Sequence, residues 1–454
     1  MPTPAALRTR RVIAAILLPL VLAAAVGMAL TWPHGDPATA RTISAVEIDY
    51  PTATVTGSTA ERCEGTVEDR EVDGTIPADV PCLRVAATVT SGPLEGEEIE
   101  IWATASTTAD DVPPGTRILV EHYPATGTDA EIWAWHDYDR TLPLVTIALV
   151  FALAIILVAR TRGLRALIGL VIAFGVIGAY VLPALLAGSN PVVVALSAST
   201  LIMVVVLYLA HGLSLRTSAA LLGTLAGLAL TTVLGVLGAE WARLSGVSSE
   251  DSYRLSQLLG ENGATSLRGL FLCGLVLAGL GVLNDVTITQ ASAVWELRAV
   301  SPGATRRELF RGGMRIGRDH IASTVYTIAF AYTGAALPVL LLLELYQLPL
   351  GPTLTSGEFA EEIVRTMVSS IGLVLAIPLT TGIAALVVTR AGAAPARHAE
   401  ADGHGHAHVH AVSGPDTDAA HDHPVPPHEH TPHAAHAAPH APPSGLQSPP
   451  VPEA

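Results

Sequence analysis

The chain has 454 residues, half of them hydrophobic and only 14% charged, and its mean hydropathy is +0.47. These values differ from those of an average soluble globular protein and indicate repeated apolar membrane spans. The formal net charge of −15 at pH 7 argues against nucleic-acid binding, which requires a basic surface.

Eight apolar segments are long enough to cross about 30 Å of hydrocarbon, a distance that takes about 20 helical residues. The predicted spans are 12–31, 142–160, 164–186, 191–210, 217–238, 269–295, 321–346 and 363–389. We interpret residues 1–32 as an N-terminal membrane anchor. The alternative is a secretory signal cleaved near the small residues at 38–40.

Arginine placement predicts the orientation of the spans, because cytoplasmic loops of membrane proteins retain positive charge. With the N-terminus inside, 15 arginines fall in cytoplasmic segments and four in the outer loops. All 25 basic residues are arginine, which together with abundant Ala, Gly and Pro is typical of a GC-rich bacterial genome. We therefore predict a multi-pass protein of the bacterial inner membrane, surrounded by the lipid bilayer, with both termini cytoplasmic.

Residues 33–141 are predicted to form a small all-β domain on the extracytoplasmic side, between helices 1 and 2. Stretches such as LRVAATVT and TRILVEHY alternate apolar and polar residues, which is typical of half-buried strands in a barrel or sandwich. The 21 acidic residues of this segment outnumber its six arginines, so its surface either gathers cations or is simply solvated. Because disulfides persist outside the cytoplasm, we expect Cys63 and Cys82 to form a bridge; the alternative is that both are reduced.

The seven-helix membrane domain, 142–390, contains a repeat of small residues in its fifth predicted span. A small side chain recurs at every fourth position, at Ala219, Gly223, Gly227, Thr231, Gly235 and Ala239. This small-xxx-small pattern lets helix backbones approach closely. We interpret it as a packing feature.

The sixth predicted span carries a stripe of polar side chains. Its members are Asp285, Thr289, Ser292 and Glu296. Their spacing of i, i+4, i+7 and i+11 places them on one helix face, with Asn284 and Gln290 beside it. An ionised carboxylate facing lipid costs at least about 2.5 kcal/mol, so Asp285 is expected to face the bundle interior or a water-filled cavity.

We predict a transport path along this stripe, and its candidate residues are Asn284, Asp285, Thr289, Ser292, Glu296 and Asp319. The alternatives are a polar cluster that fixes helix packing, or an Asp285 that lies near the cytoplasmic interface because the span is long.

Residues 391–454 form a tail rich in Ala, Pro and His that lacks the apolar content for a core, so we predict cytoplasmic disorder. It contains 12 of the 17 histidines. The candidate metal ligands are His404, His406, His408 and His410. Imidazoles on a flexible chain can bind Zn²⁺, Ni²⁺ or Co²⁺; the alternative is low complexity without a role.

Signatures of catalysis are absent from the sequence, which has no Walker loop, HExxH, nucleophile elbow or CxxC. A serine hydrolase using His211 or His320 is conceivable, but both histidines lie next to predicted cytoplasmic loops. We therefore expect that the protein is not an enzyme.

Three segments carry a resemblance to a known family. They are GVLNDVTITQASAVWEL, ELFRGGMRIGRDHIASTVYTIAFAYTGAALPVLLL and EEIVRTMVSSIGLVLAIPLTTGIAAL. They resemble the YibE/F-like family of bacterial multi-pass membrane proteins, over roughly residues 137–385 together with the external domain. The positions that match the family pattern are Asp285, Glu296, Gly317, Arg318 and Asp319. The resemblance implies a permease-like protein and assigns no residue a role.

Together these observations favour an integral membrane permease or channel-like protein for an unknown small solute or ion, with a link to divalent metal ions through the tail. The alternative is a membrane scaffold or receptor that transports nothing and whose external domain binds an envelope partner. A transporter requires a continuous polar path that reaches Asp285. A scaffold requires an exposed apolar patch on the external domain.

Overall fold

The computed structural model describes residues 4–33, 48–71, 73–104, 107–125, 130–259 and 267–391. The predicted disorder of the tail therefore lies outside the described residues, and so do the candidate metal ligands His404, His406, His408 and His410.

Most of the described chain is helical. The helices are α1 Pro4–Leu30, α2 Thr141–Val176, α3 Leu182–Leu186, α4 Pro191–His211, α5 Leu215–Trp241, α6 Glu250–Leu259, α7 Leu267–Val300, α8 Arg306–Ala335, α9 Leu337–Leu345, α10 Leu350–Leu354 and α11 Gly357–Ala391. A π-helical turn, Ile177–Val181, joins α2 to α3.

Capping residues mark the N-termini of several of these helices. The Asn190 side chain accepts hydrogen bonds from the first amides of α4, whose first residue is a proline. The Ser214 hydroxyl caps α5 in the same way. Thr305 and Glu308 form a reciprocal capping box at the start of α8, so this helix begins five residues after α7 and itself carries five of the six arginines between 298 and 318.

The external segment folds into one antiparallel sheet. Its strands are β1 Thr52–Cys63, β2 Val80–Val89, β3 Glu98–Trp102, β4 Arg117–Tyr123 and β5 Ile132–Tyr138. Their order is β3-β2-β1-β4-β5, and β1 pairs with both β2 and β4. The edge strands β3 and β5 approach each other, so the sheet curls into a partly closed barrel around an apolar core.

A disulfide closes the start of the sheet. Cys63 ends β1 and is bonded to Cys82 on the neighbouring strand β2, with their Cα atoms 5.9 Å apart. Antiparallel pairing of the two strands places these cysteines beside each other. The third cysteine, Cys273, is a buried free thiol in α7.

Six helices within the described ranges are long and apolar enough to cross a membrane, or seven if α8 and α9, which meet at a bend of 60°, count as one span. The protein is thus a multi-pass membrane bundle. Eight spans were expected, and the difference arises at 141–186, which holds two expected spans but counts as one stretch of 46 residues.

This stretch is divided at Arg160. As one straight helix it would be about 69 Å long, more than twice the hydrocarbon thickness. Arg160 has a non-helical backbone with φ 52° and ψ −132°. A Cβ atom on Gly163 would lie 2.5 Å from the carbonyl oxygen of Ile155, so the chain turns back on itself between these residues. The two halves are therefore separate helical arms.

The bundle core is formed by α5, which packs between α7 and α11. The six small residues of the α5 repeat are all buried. Gly227 is in contact with Leu283 of α7 and Ala376 of α11, and Gly223 lies directly against the Thr380 side chain. The sequence-based interpretation of this repeat as a packing feature is confirmed. On the other side of α7, α4 links the core to α1 and α2.

Candidate functional site

The polar stripe lies on the outer face of α7. Asp285, Thr289 and Glu296 are exposed, and Asn284 and Ser292 are half-buried. The opposite face is buried against α5 and α11 through a longer series of residues: Leu283, Val286, Thr287, Gln290, Ala291 and Val294. Asp285 therefore does not face the interior of the bundle, which leaves a water-filled space as its expected surroundings.

Among the described residues, Asp285 forms an ion-pair contact with His320 of α8. The Oδ2 atom of Asp285 lies 4.0 Å from Nε2 of His320, and the side chains are 72% and 28% exposed respectively. Asp285 follows the first residue of α7 by 18 positions and precedes the last by 15, which places it about 27 and 22 Å from the two ends. His320 occupies the equivalent middle position of α8. His320 lies one position before the predicted span 321–346, and the half of α8 that precedes it carries five arginines, so the pair lies toward the arginine-bearing end of α8.

Two polar atoms beside this pair lack hydrogen-bond partners within the described chain. They are Oδ1 of Asn284 and Nε2 of His320, both shielded from solvent. A carboxylate and an imidazole at this separation can hold a cation between them or exchange a proton through one water molecule. The amide oxygen of Asn284, the preceding residue in α7, is also free to accept a hydrogen bond.

The other stripe residues are not brought to this pair. Glu296 is 11 positions further along α7, about 16 Å along the helix axis, and lies in the last turns of this helix. Asp319 is exposed on α8. Among the described residues, no hydrogen bond or ion pair joins Thr289, Ser292, Glu296 or Asp319 to Asp285. The structure thus brings Asp285 and His320 together.

A second polar cluster lies inside the bundle and was not predicted from the sequence. Gln290 is only 2% exposed, and its amide donates to the carbonyl of Gly313 at 2.7 Å and to the hydroxyl of Thr381 at 2.8 Å. These bonds connect α7, α8 and α11. Gln290 was visible as an amide within an apolar run, but its partners are 23 and 91 residues away, and no local pattern identifies them.

The external domain carries two histidine–carboxylate contacts on its β4–β5 hairpin. His122 lies 2.6 Å from Glu131, and His136 lies 2.8 Å from Glu121. The Tyr123 hydroxyl donates to Glu121, and this bond together with His136 lowers the pKa of the Glu121 carboxyl below its usual range. Within the described ranges, no three His, Cys, Asp or Glu side chains group as metal ligands would.

Comparison with known families identifies the membrane domain. A family model described as YibE/F-like protein matches residues 147–390, just over half of the chain. The match begins after the last strand, so the expectation that the resemblance includes the external domain is not supported. Searches of curated proteins and of solved structures find no match. The part of the chain that carries Asn284, Asp285 and His320 lies within the match, and the chain belongs to the YibE/F-like family.

Proposed function

We propose that this protein is an integral membrane permease or channel-like protein, not an enzyme. In this proposal Asp285 and His320 bind the transported ion or exchange a coupled proton. The observation that carries the proposal is their juxtaposition at the middle of two long helices, 4.0 Å apart and without a hydrogen bond. Intramembrane ionisable residues are rare and mark ion and proton pathways in many transporters.

The exposure of Asp285 supports a hydrated path. A side chain that is 72% exposed on a membrane-spanning helix meets either lipid or water. Contact with lipid would cost the ionised carboxylate at least about 2.5 kcal/mol, whereas contact with water would remove this cost. Thr289 is exposed on the same face, one helical turn away. We propose that this face forms one wall of the path.

The proposed orientation places both termini in the cytoplasm of a bacterial cell and the β-domain outside it. This assignment is supported by the excess of arginines in the segments that would lie inside. It places the capped start of α8 on the cytoplasmic side.

The test of the path is charge removal at Asp285. Purified protein in liposomes is assayed for flux of protons, Zn²⁺, Ni²⁺ and Co²⁺, alone and in exchange. We expect Asp285→Asn to abolish flux while the protein stays folded, because the amide keeps the volume and removes the charge. Glu344→Gln is the matched control, since Glu344 is an exposed carboxylate on α9. Full flux in the Asn variant would remove Asp285 from the path.

The structure suggests how a purely structural role would differ. If Asp285 only fixed helix packing, the Asn variant would keep activity because it still forms hydrogen bonds. Asp285→Leu would then lower the stability by about 1–3 kcal/mol for each neighbouring polar group left without a partner. Thermal unfolding of both variants, measured beside the flux, separates the two roles.

A second candidate function is a scaffold or receptor whose external domain binds an envelope partner. It is favoured by two exposed apolar side chains at the sheet edges, Trp102 on β3 at 47% and Ile132 on β5 at 58%. Unpaired edge strands are surfaces on which another chain can pair. If this function holds, Trp102→Ala reduces crosslinking of the external domain to an envelope protein, whereas Asp285→Asn has no effect in cells.

The link to divalent metal rests on the histidine-rich tail. We propose that the histidines of the tail bind Zn²⁺, Ni²⁺ or Co²⁺. Deletion after Ala396 should change cellular tolerance to at least one of these ions at unchanged membrane abundance. Unchanged tolerance to all three would separate the tail from metal handling.

A further inference from the structure

A second site is present at the end of the bundle where α5 and α8 finish and α7 and α11 begin. A cavity of about 590 Å³ opens there, within the size range of small-molecule sites. Its walls are mostly apolar, with Phe271 from α7 and Val339 from α9 among them. Charged side chains enter from the first turns of α11 at Glu361, Glu362 and Arg365. None of these three belongs to the path proposed above.

Glu361 has a structural role in this cavity. It is 7% exposed and accepts hydrogen bonds from the amide of Gly246 at 2.9 Å and from the hydroxyl of Ser248 at 2.5 Å. Both donors belong to the connection between α5 and α6. The carboxylate therefore holds this connection in place as one wall of the cavity, and its hydrogen-bonding capacity is partly used within the protein.

Glu362 and Arg365 are different, because each has one shielded polar atom without a hydrogen-bond partner among the described residues. Nε of Arg365 lies 3.5 Å from Oε2 of Glu362, too poorly placed for a hydrogen bond. The Oε1 atom of Glu362 is also shielded and has no partner within the described chain. The guanidinium stacks over the Phe271 ring at 5.2 Å, which fixes its orientation. The Nε–H of this guanidinium thus has no acceptor within the described chain, and the planar group carries further N–H donors beside it.

The charges define the chemistry of a ligand. A plain anion would bind Arg365 but would be repelled by the carboxylates of Glu358, Glu361 and Glu362, which also line the cavity. A plain cation would be attracted by the three carboxylates but would leave the Nε–H of Arg365 without an acceptor. A ligand with an oxyanion next to an ammonium group satisfies both, since the planar guanidinium pairs with carboxylate or phosphate in bidentate geometry.

We propose that this cavity binds a zwitterion in which an ammonium group and an oxyanion are attached to an apolar body. The oxyanion pairs with Arg365, the ammonium with Glu362, and the apolar body lies against the walls around Phe271. Two sources carry this chemistry, namely a free apolar α-amino acid and the headgroup of an ethanolamine phospholipid. The proposal does not depend on transport, because binding requires no gradient.

The experiment measures binding by the full-length protein with one probe for each source. In lipid-free detergent, L-leucine is titrated calorimetrically. In nanodiscs of phosphatidylcholine, the thermal midpoint is measured with and without ethanolamine phospholipid. The variants are Arg365→Gln and Glu362→Gln. Arg254→Gln is the matched control, because Arg254 is a 72% exposed arginine of α6 that does not line the cavity.

We expect wild type and the control to respond to one of the two probes, and each cavity variant to lose at least about tenfold in affinity or to lose the thermal shift. A response to leucine identifies the solute, and a response to the ethanolamine lipid identifies the headgroup. Absence of any wild-type response, or an equal response in wild type and both cavity variants, would overturn the proposal. Asp285→Asn should bind the probe as wild type does, so the binding proposal can hold even if the transport proposal fails.

Discussion

Replacing Gly372 with alanine should destabilise the bundle although alanine is the better helix former. A Cβ atom at position 372 would overlap the Thr231 hydroxyl oxygen of α5 and lie 3.1 Å from the Thr231 Cβ. The threonine cannot rotate away freely, because its hydroxyl donates to the Gly227 carbonyl at 2.9 Å. Overpacking of this kind costs about 1–3 kcal/mol. Removal of glycine from a helix returns about 1 kcal/mol, which leaves a net loss of about 1 kcal/mol.

A matched substitution isolates the steric part of this cost. Gly281 lies in α7 with no atom within 4 Å of its added Cβ, so Gly281→Ala should stabilise by about 1 kcal/mol. Unfolding of detergent-solubilised protein by SDS titration gives both values. Thr231→Ala removes the overlapping oxygen and should rescue Gly372→Ala by about 1–2 kcal/mol in a double-mutant cycle. Equal stability of the two alanine variants, or no rescue, would refute the close approach of α5 and α11.

Three further predictions concern the external domain and the topology. Cys63→Ser opens a loop with a sequence separation of 19 and should lower the stability of the domain by about 3 kcal/mol, seen as earlier thermal unfolding that reductant reproduces in wild type. The pKa of Glu121 is lower in the folded state, so its carboxylate stabilises the fold above the unfolded pKa of about 4.3, and this contribution is lost as the pH falls. Glu121→Gln should therefore make the thermal midpoint less sensitive to acid. Gly303→Cys should be shielded from impermeant thiol reagents added outside intact cells, and Ser249→Cys should be labelled, with the reverse pattern contradicting the proposed orientation.

The membrane spans and the external strands could be predicted from sequence because each is encoded locally. An apolar run of about 20 residues has few alternatives to a membrane helix. Alternating patterns such as that of β4, with Ile118 and Val120 inside, determine which face of a strand is buried. The family could also be recognised from the sequence, because the three segments that resemble it lie inside the residues that the family model matches.

The orientation of α7 could not be predicted in this way. One face of this helix carries Asp285 and the opposite face carries Gln290. Because each face has a polar side chain, the periodicity of the sequence does not show which face is buried. The choice depends on the hydroxyl of Thr381 and the carbonyl of Gly313, which satisfy the amide of Gln290 but would not neutralise a carboxylate. Tertiary partners from two other helices decide which polar group is enclosed.

The same limitation applies to the cavity near the start of α11. Glu362 and Arg365 resemble ordinary interfacial residues at the end of a span, where long charged side chains reach the headgroups. Only the packing of Phe271 beneath the guanidinium shows that Arg365 is held in place. Such a contact between two helices almost 100 positions apart leaves no trace in the local sequence.

The turn at Arg160 has a consequence for how the protein enters the membrane. The two arms that it joins are apolar throughout, and the connection between them is too short to form a separate loop on the far side of a translocation channel. Both arms must therefore pass into the bilayer together as a hairpin, with Arg160 and the nearby Arg162 and Arg165 retained at its tip. Lengthening this turn with uncharged residues would allow the first arm to insert alone, and membrane integration would change from a single concerted event to two successive ones.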